Sequence, residues 1–232
     1  MKRIIVFIFS ALICAGQAVL YAESEALSAL QNAAPVDSLN MLQVQKPVEL
    51  PSGLTEETKD AANSPSPLSY FPMEKKMRYE YEYTSSEFLG TKRVVVEFVE
   101  YSEKDYTTTV KVTVIRGSKI QSGTFFIQLT EKGLHSSDSI LAGKRTEIPF
   151  PLYRGKTWEE GSNTYRITSL NAKTAVPAGS FENCLKITAK IGDGDAGTAS
   201  RYYASGTGLV YEEILGEDVQ EKIQLVSYQI MN

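Results

Sequence analysis

The stretch "MRYEYEY", Met77–Tyr83, decides how this chain folds. Met77, Tyr79, Tyr81 and Tyr83 face one way, and Arg78, Glu80 and Glu82 face the other. A period of two is the signal of a strand with one face buried. "TTTVKVTV", Thr107–Val114, repeats it, with Val110, Val112 and Val114 set against Thr109, Lys111 and Thr113. The same reading predicts strands over Lys92–Tyr101, Gly123–Leu129, Tyr165–Asn171, Phe181–Ile191, Ala199–Ala204, Leu209–Leu215 and Lys222–Ile230. Glu131–Gly133 and Gly192–Gly197 read as turns between them.

Strands at such close intervals, with no segment of helical period between them, predict an all-β fold. The expected architecture is a curved antiparallel meander sheet, half-barrel-like or a sandwich, over residues 70–232. No repeat of 20–50 residues is visible, which argues against a propeller or solenoid. The strands' second faces carry charges and threonines instead of a lipid-facing band, which argues against an outer-membrane barrel.

Upstream the composition changes. Residues 23–69 contain no aromatic residue and carry Pro35, Pro47, Pro51, Pro65 and Pro67 among Ala, Ser, Glu and Gln. Such a stretch has too little apolar surface to offset its ordering entropy, so a flexible tether is expected there. Ala and Leu recur at near-helical spacing from Ser24 to Leu42, but Pro35 interrupts them. Residues 1–22 have the order of a secretory signal peptide: Lys2 and Arg3, an apolar run from Ile4 to Gly16, then small residues. Cleavage is expected after Ala22, with Ala18 as the alternative. The apolar run is short for a membrane-spanning helix, which needs ~20 residues. Ile13 stands where a lipidation signal at Cys14 would need a small residue. The predicted location is the periplasm or the exterior of a bacterial cell, with no stable membrane span after cleavage.

The whole chain has a formal charge of −4, and loss of Lys2 and Arg3 takes it to −6. An acidic chain without clustered Lys and Arg is not built for nucleic acid or for an anionic membrane surface. Cys14 leaves with the leader, so Cys184 would have no intramolecular disulfide partner.

Candidate chemistry is sparse. If Phe181–Ile191 is one unbroken strand, Cys184 falls on the polar face with Glu182, Lys186 and Thr188. A β-bulge near Asn183 would reset that parity and bury it. The chain's one histidine, His135, sits beside Ser136, Ser137 and Asp138. Neighbours in a strand point to opposite faces, so these residues do not form a relay by themselves, and an exposed strand-end or loop histidine is expected. One histidine and one retained cysteine do not make a zinc set. "DGDAG", Asp193–Gly197, lacks the later acid that completes a calcium loop. "ASGTG", Ala204–Gly208, is followed by a strand and not by the helix a phosphate cradle needs, so it reads as a bend. Glu159–Glu160 and Glu212–Glu213 are adjacent pairs, not carboxylates facing across a cleft. No catalytic residue, cofactor or metal is expected. Aromatic residues suit a concave binding face as well as a core, and Trp158, Tyr202 and Tyr203 are the candidate binding residues. Tyr202 and Tyr203 must point oppositely.

Three stretches, "PLYRGKTW" (Pro151–Trp158), "VPAGSFENCLKI" (Val176–Ile187) and "RYYASGTGLVYEE" (Arg201–Glu213), together resemble a group of uncharacterised exported bacterial β-domains. The matching residues are Gly155 and Trp158; Ala178, Gly179, Phe181, Cys184, Leu185 and Lys186; and Tyr202, Tyr203, Ala204, Gly206, Gly208, Leu209 and Val210. The resemblance covers about Leu68 to Asn232. It implies a curved antiparallel sheet, similar in shape to the half-barrels of lipoprotein carriers such as LolA and LolB, and brings no catalytic residues. Those carriers lay helices over the hollow, and no helix is predicted here. The expected function is therefore an exported non-enzymatic domain binding an envelope protein or an apolar small molecule. A lipid or lipoprotein carrier is the first alternative, and a hydrolase the second.

Overall fold

β1 (Met77–Ser85) lies in the middle of the sheet, between β2 (Phe88–Ser102) and the last strand, β12 (Gln220–Ile230). The computed structural model describes residues 66–192 and 196–231. The expected leader with its cleavage at Ala22, the tether up to residue 65, and residues 193–195 of the Gly192–Gly197 turn lie outside the described residues.

From β2 the chain runs as a meander through β3 (Thr107–Arg116), β4 (Lys119–Thr130), β5 (Gly133–Ser136) and β6 (Arg145–Pro149). It resumes at the opposite edge as β7 (Thr157–Glu160), then β8 (Asn163–Val176), β9 (Gly179–Ile191), β10 (Gly197–Ala204) and β11 (Gly208–Gly216). The order across the sheet is β6-β5-β4-β3-β2-β1-β12-β11-β10-β9-β8-β7, antiparallel throughout. First and last strands pair, joining two meanders into one sheet nearly closed into a barrel. Among the described residues there is no α-helix; a 3-10 turn at Pro67–Ser69 precedes β1.

All nine predicted strands fall inside observed ones. Met77, Tyr79, Tyr81 and Tyr83 are buried, as their alternation requires, and pack with Val94, Val96, Phe98 and Val110. Each such large apolar side chain contributes about 1.5–3 kcal/mol by leaving water. The prediction omitted β5, β6, β7 and the far half of β8. β6, "RTEIP", is buried at all five positions although three are polar. Its Arg and Glu point into an internal ionic network, which reverses the usual polar-out pattern. Gly133 makes that approach possible: a Cβ there would lie 2.3 Å from the Ile148 carbonyl oxygen.

Phe181–Ile191 is not an unbroken ladder. Asn183 takes φ 53°, and the β8–β9 register slips between Ser169 and Ala172 and again before Thr174. The irregularity resets the alternation. Cys184 and Leu185 are therefore both buried, and Cys184 does not stand on the polar face. His135 is likewise not an exposed loop residue. It lies half-buried in β5, with Nδ1 3.1 Å from the Thr146 hydroxyl.

Candidate functional site

The segment before β1 closes one end of the sheet's hollow. "SYFPM", Ser69–Met73, buries Tyr70, Phe71 and Met73 because each is apolar and finds the strands' inner face. Hydrogen bonds to its carbonyls hold it: the Gly206 N–H donates to Ser69 O at 2.6 Å, and the Thr108 hydroxyl donates to Met73 O at 2.6 Å. Phe71 stacks on Phe98 at 5.5 Å between centroids and tilts against Tyr203 at 6.3 Å. Gly208 permits a close pass, since a Cβ there would sit 3.2 Å from the Tyr79 hydroxyl, and its φ of 106° suits glycine.

Phe71 separates two clefts. The outer one, about 200 Å³, is lined by Leu68, Phe71, Pro72, Met73 and Gly206, with exposed Glu74 and Lys75 alongside. The inner one, about 40 Å³, lies among Tyr79, Tyr81, Phe98, Ile127 and Leu209 and reaches Arg145 and Glu147. Tyr79, Tyr81, Phe98, Ile127 and Leu209 pack into the sheet's hollow around that cleft.

Beyond the inner cleft lies a buried ionic network. Arg145 grips Glu147 through Nε at 2.9 Å and Nη2 at 3.1 Å. It also grips Glu212 through Nη1 and, at 3.1 Å, through Nη2. Glu147 further accepts from the Ser136 hydroxyl at 2.7 Å and the Tyr203 phenol at 2.6 Å. Burial alone would raise the Glu147 carboxyl. The charges of Arg145 and Arg201, with hydrogen bonds from Arg145 and Tyr203, outweigh it and hold Glu147 at about 2. Two arginines balance two glutamates, and Glu147 remains ionised.

The same network closes the seam between the sheet's two edges. The Thr146 N–H of β6 donates to Glu160 of β7 at 2.6 Å, and Arg201 of β10 donates to Thr146 O at 3.2 Å. Side chains thus satisfy the N–H and C=O of Thr146, which an edge strand would otherwise leave unpaired.

The three candidate binding residues do not converge. Trp158 is half-buried near the seam, stacked on Tyr165 at 5.3 Å. Tyr203 is fully buried inside the ionic network. Tyr202 points the opposite way, edge-on to Tyr211, with Lys186 Nζ 5.0 Å from its ring. His135 and Ser136 diverge, since Ser136 bonds Glu147 while His135 meets Thr146. Cys184 is buried, and burial pushes its thiol up to about 11.

No family model matches this chain, and no curated protein does. Among the solved structures that are similar in shape are two bacterial proteins. One is a "putative exported protein with YmcC-like fold" from Bacteroides fragilis, at 13% identity and TM-score 0.48, covering 67% of this chain and 96% of that one. The other is a "putative lipoprotein" from Parabacteroides distasonis, at 13% identity and TM-score 0.45, covering 69% of this chain and 98% of that one. At that distance neither likeness bears on what this chain binds.

The mouth segment is the part that the three candidate residues did not point to. Its signal was present in the chain: Tyr70, Phe71 and Met73 stand directly after the aromatic-free stretch. The residues that carried the family resemblance serve the architecture. Gly155, Gly179, Gly206 and Gly208 all take positive φ at strand ends and turns.

Proposed function

We propose that this chain is an exported, non-enzymatic β domain that receives an apolar side chain of an envelope protein at its plugged mouth. The observation that carries the reading is the size and lining of the outer cleft: about 200 Å³, apolar on Leu68, Phe71, Pro72 and Met73. Sites for whole small molecules are commonly ~300–1,000 Å³. A cleft below that range suits a single leucine- or phenylalanine-sized anchor, the kind of residue that dominates protein interfaces. The inner cleft, about 40 Å³, has no room for an acyl chain. Protein binding is therefore favoured over a free apolar ligand and over lipid carriage.

Export is supported by the order of charges, apolar run and small residues in 1–22. A non-enzymatic role is supported by the titratable groups, since Arg145, Glu147 and Glu212 already bind one another. The buried Cys184 thiol, held protonated near neutral pH, makes a poor nucleophile.

A photoreactive residue placed at Leu68 in the full chain, expressed in a bacterial envelope, tests this. A protein adduct is expected from Leu68 and not from exposed Ile120, and Phe71→Trp, which adds bulk at the cleft, should abolish it. A lipid adduct would favour the carrier, and equal labelling from both positions would refute the site.

A further inference from the structure

The turn between β1 and β2 holds a leucine in solvent. The ladder pairs Tyr83 with Lys92 but Ser85 with Phe88, so Leu89, Gly90 and Thr91 stand against Thr84 alone. A bulge of this kind re-aims a side chain. Leu89 is 97% exposed, the highest value among the exposed large apolar residues described. A lone exposed leucine is ordinary, but this one stands on a fixed base. The neighbouring Phe88 ring lies edge-on to Tyr83 at 5.2 Å, with Lys92 Nζ 3.6 Å and the Arg116 guanidinium 5.7 Å from its centre. Ser86 ties the turn to the start of β12: its N–H donates to Gln220 O at 2.9 Å, and its hydroxyl accepts from the Gln220 N–H at 3.0 Å. A turn held at so many points loses little freedom on binding.

The outer cleft lies at the other end of β1. That strand leaves the mouth segment at Met77 and reaches the turn at Ser85, nine residues in all. At ~3.4 Å per residue it holds Leu89 roughly 30 Å from the chain's own cleft. The chain thus displays a leucine of the size its cleft accepts, at a place from which only another copy's cleft can be reached. The charges agree. Arg116 and Lys119 of the β3–β4 turn stand on one side of the leucine's turn, and Glu217 and Asp218 of the β11–β12 turn on the other. The rim of the cleft also carries both signs, Glu74 and Lys75. One rotation sets Glu74 toward the bases and Lys75 toward the acids. The same mixture of signs suits an anionic lipid surface poorly.

We propose that Leu89 of one copy enters the outer cleft of the next, an inference that rests on the mouth being a site for an apolar anchor. Leu89 then packs against Leu68, Phe71, Pro72 and Met73. Leucine and cleft sit at opposite ends of β1, so the contact is head-to-tail and copies add in a row. Ile120 faces the other side of β4 from Lys119 and stays outside the contact.

Sedimentation of protein purified from the envelope, over a range of concentrations, tests this. The mass should rise past that of a dimer. Leu89→Asp puts a carboxylate where the cleft is apolar and should weaken association at least tenfold. Leu89 is exposed, so that variant leaves the core intact. Phe71→Trp, which crowds the cleft, should weaken association likewise. Mixed together, the two variants keep one working end each and should form one-to-one pairs that grow no further. A wild type that stays monomeric, a Leu89→Asp protein that assembles like wild type, or folded variants that do not pair when mixed would overturn the proposal. So would Leu89-dependent flotation of monomers with phosphatidylglycerol vesicles. Should Phe71→Trp not fold, Leu89→Asp still decides. The photoreactive residue at Leu68 separates this inference from the one beneath it. An adduct with a second copy supports both, an adduct with a different envelope protein keeps the mouth and overturns the self-contact, and no protein adduct overturns both.

Discussion

The Tyr203 phenol donates to Glu147 Oε2 at 2.6 Å, joining β10 to β6 across 56 residues of chain. It lies between the apolar mouth, where Phe71 tilts against the Tyr203 ring, and the ionic network beneath. Tyr203→Phe keeps the ring and removes the bond. A buried carboxylate deprived of one donor should cost about 1–3 kcal/mol, read as a lower urea midpoint with unchanged slope.

Glu147 makes stability depend on acid. Its folded carboxyl sits at about 2, below the ordinary ~4.3 of an unfolded glutamate. A depressed carboxyl adds stability above the unfolded value, and that stability is lost as pH falls toward the folded one. The contribution is on the order of 3 kcal/mol and should vanish between about pH 5 and pH 2. Glu221, raised chiefly by its burial, works in the opposite direction. The informative quantity is therefore the difference between wild type and Glu147→Gln in urea titrations across that range, which should flatten for the variant.

Arg145 holds two carboxylates at once, so Arg145→Met leaves Glu147 and Glu212 short of charge inside the core. Removing one partner of a buried ion pair costs about 3–5 kcal/mol. Arg145→Lys should recover only part of this, because an ammonium does not reproduce two forked contacts. Calorimetry of the three proteins at pH 7 gives the order wild type, Lys, Met.

Asn183 sets the parity of β9. Its φ of 53° suits Asn or Gly and penalises a β-branched residue. Asn183→Val should lose about 1–2 kcal/mol, a fall of a few degrees in thermal midpoint, while Asn183→Gly should be nearly neutral. Cys184 reports the same feature. With its thiol pushed up to about 11 and buried, it should react with a thiol reagent at pH 8 far more slowly in native than in urea-unfolded protein. Fast native labelling would mean that the strand runs without its irregularity.

The sequence made the apolar half of this sheet visible and concealed the ionic half. Tyr79, Tyr81 and Tyr83 alternate with charges, so the period announces the strand and its buried face. Arg145, Glu147, Arg201 and Glu212 invert that rule. They are buried because they satisfy one another, a pairing of positions up to 67 residues apart that no local pattern records. β6 therefore carries no period-two signal of a half-buried strand. Asn183 is where the sequence allows a bulge, and its positive φ breaks the alternation locally: Cys184 and Leu185 are both buried, while Leu185, Ile187 and Ala189 keep one face. The mouth was legible in its residues, Tyr70, Phe71 and Met73, but not in its placement. Nothing local to that segment says it will cross to Gly206 and Thr108.

Native mass spectrometry of the full-length protein purified from the bacterial envelope addresses the central claim, that the chain's own side chains pack into the hollow. The expected spectrum shows polypeptide masses only, with no retained small molecule. A stoichiometric lipid adduct that survives gentle activation would show a hollow that opens to hold it, and would contradict the account.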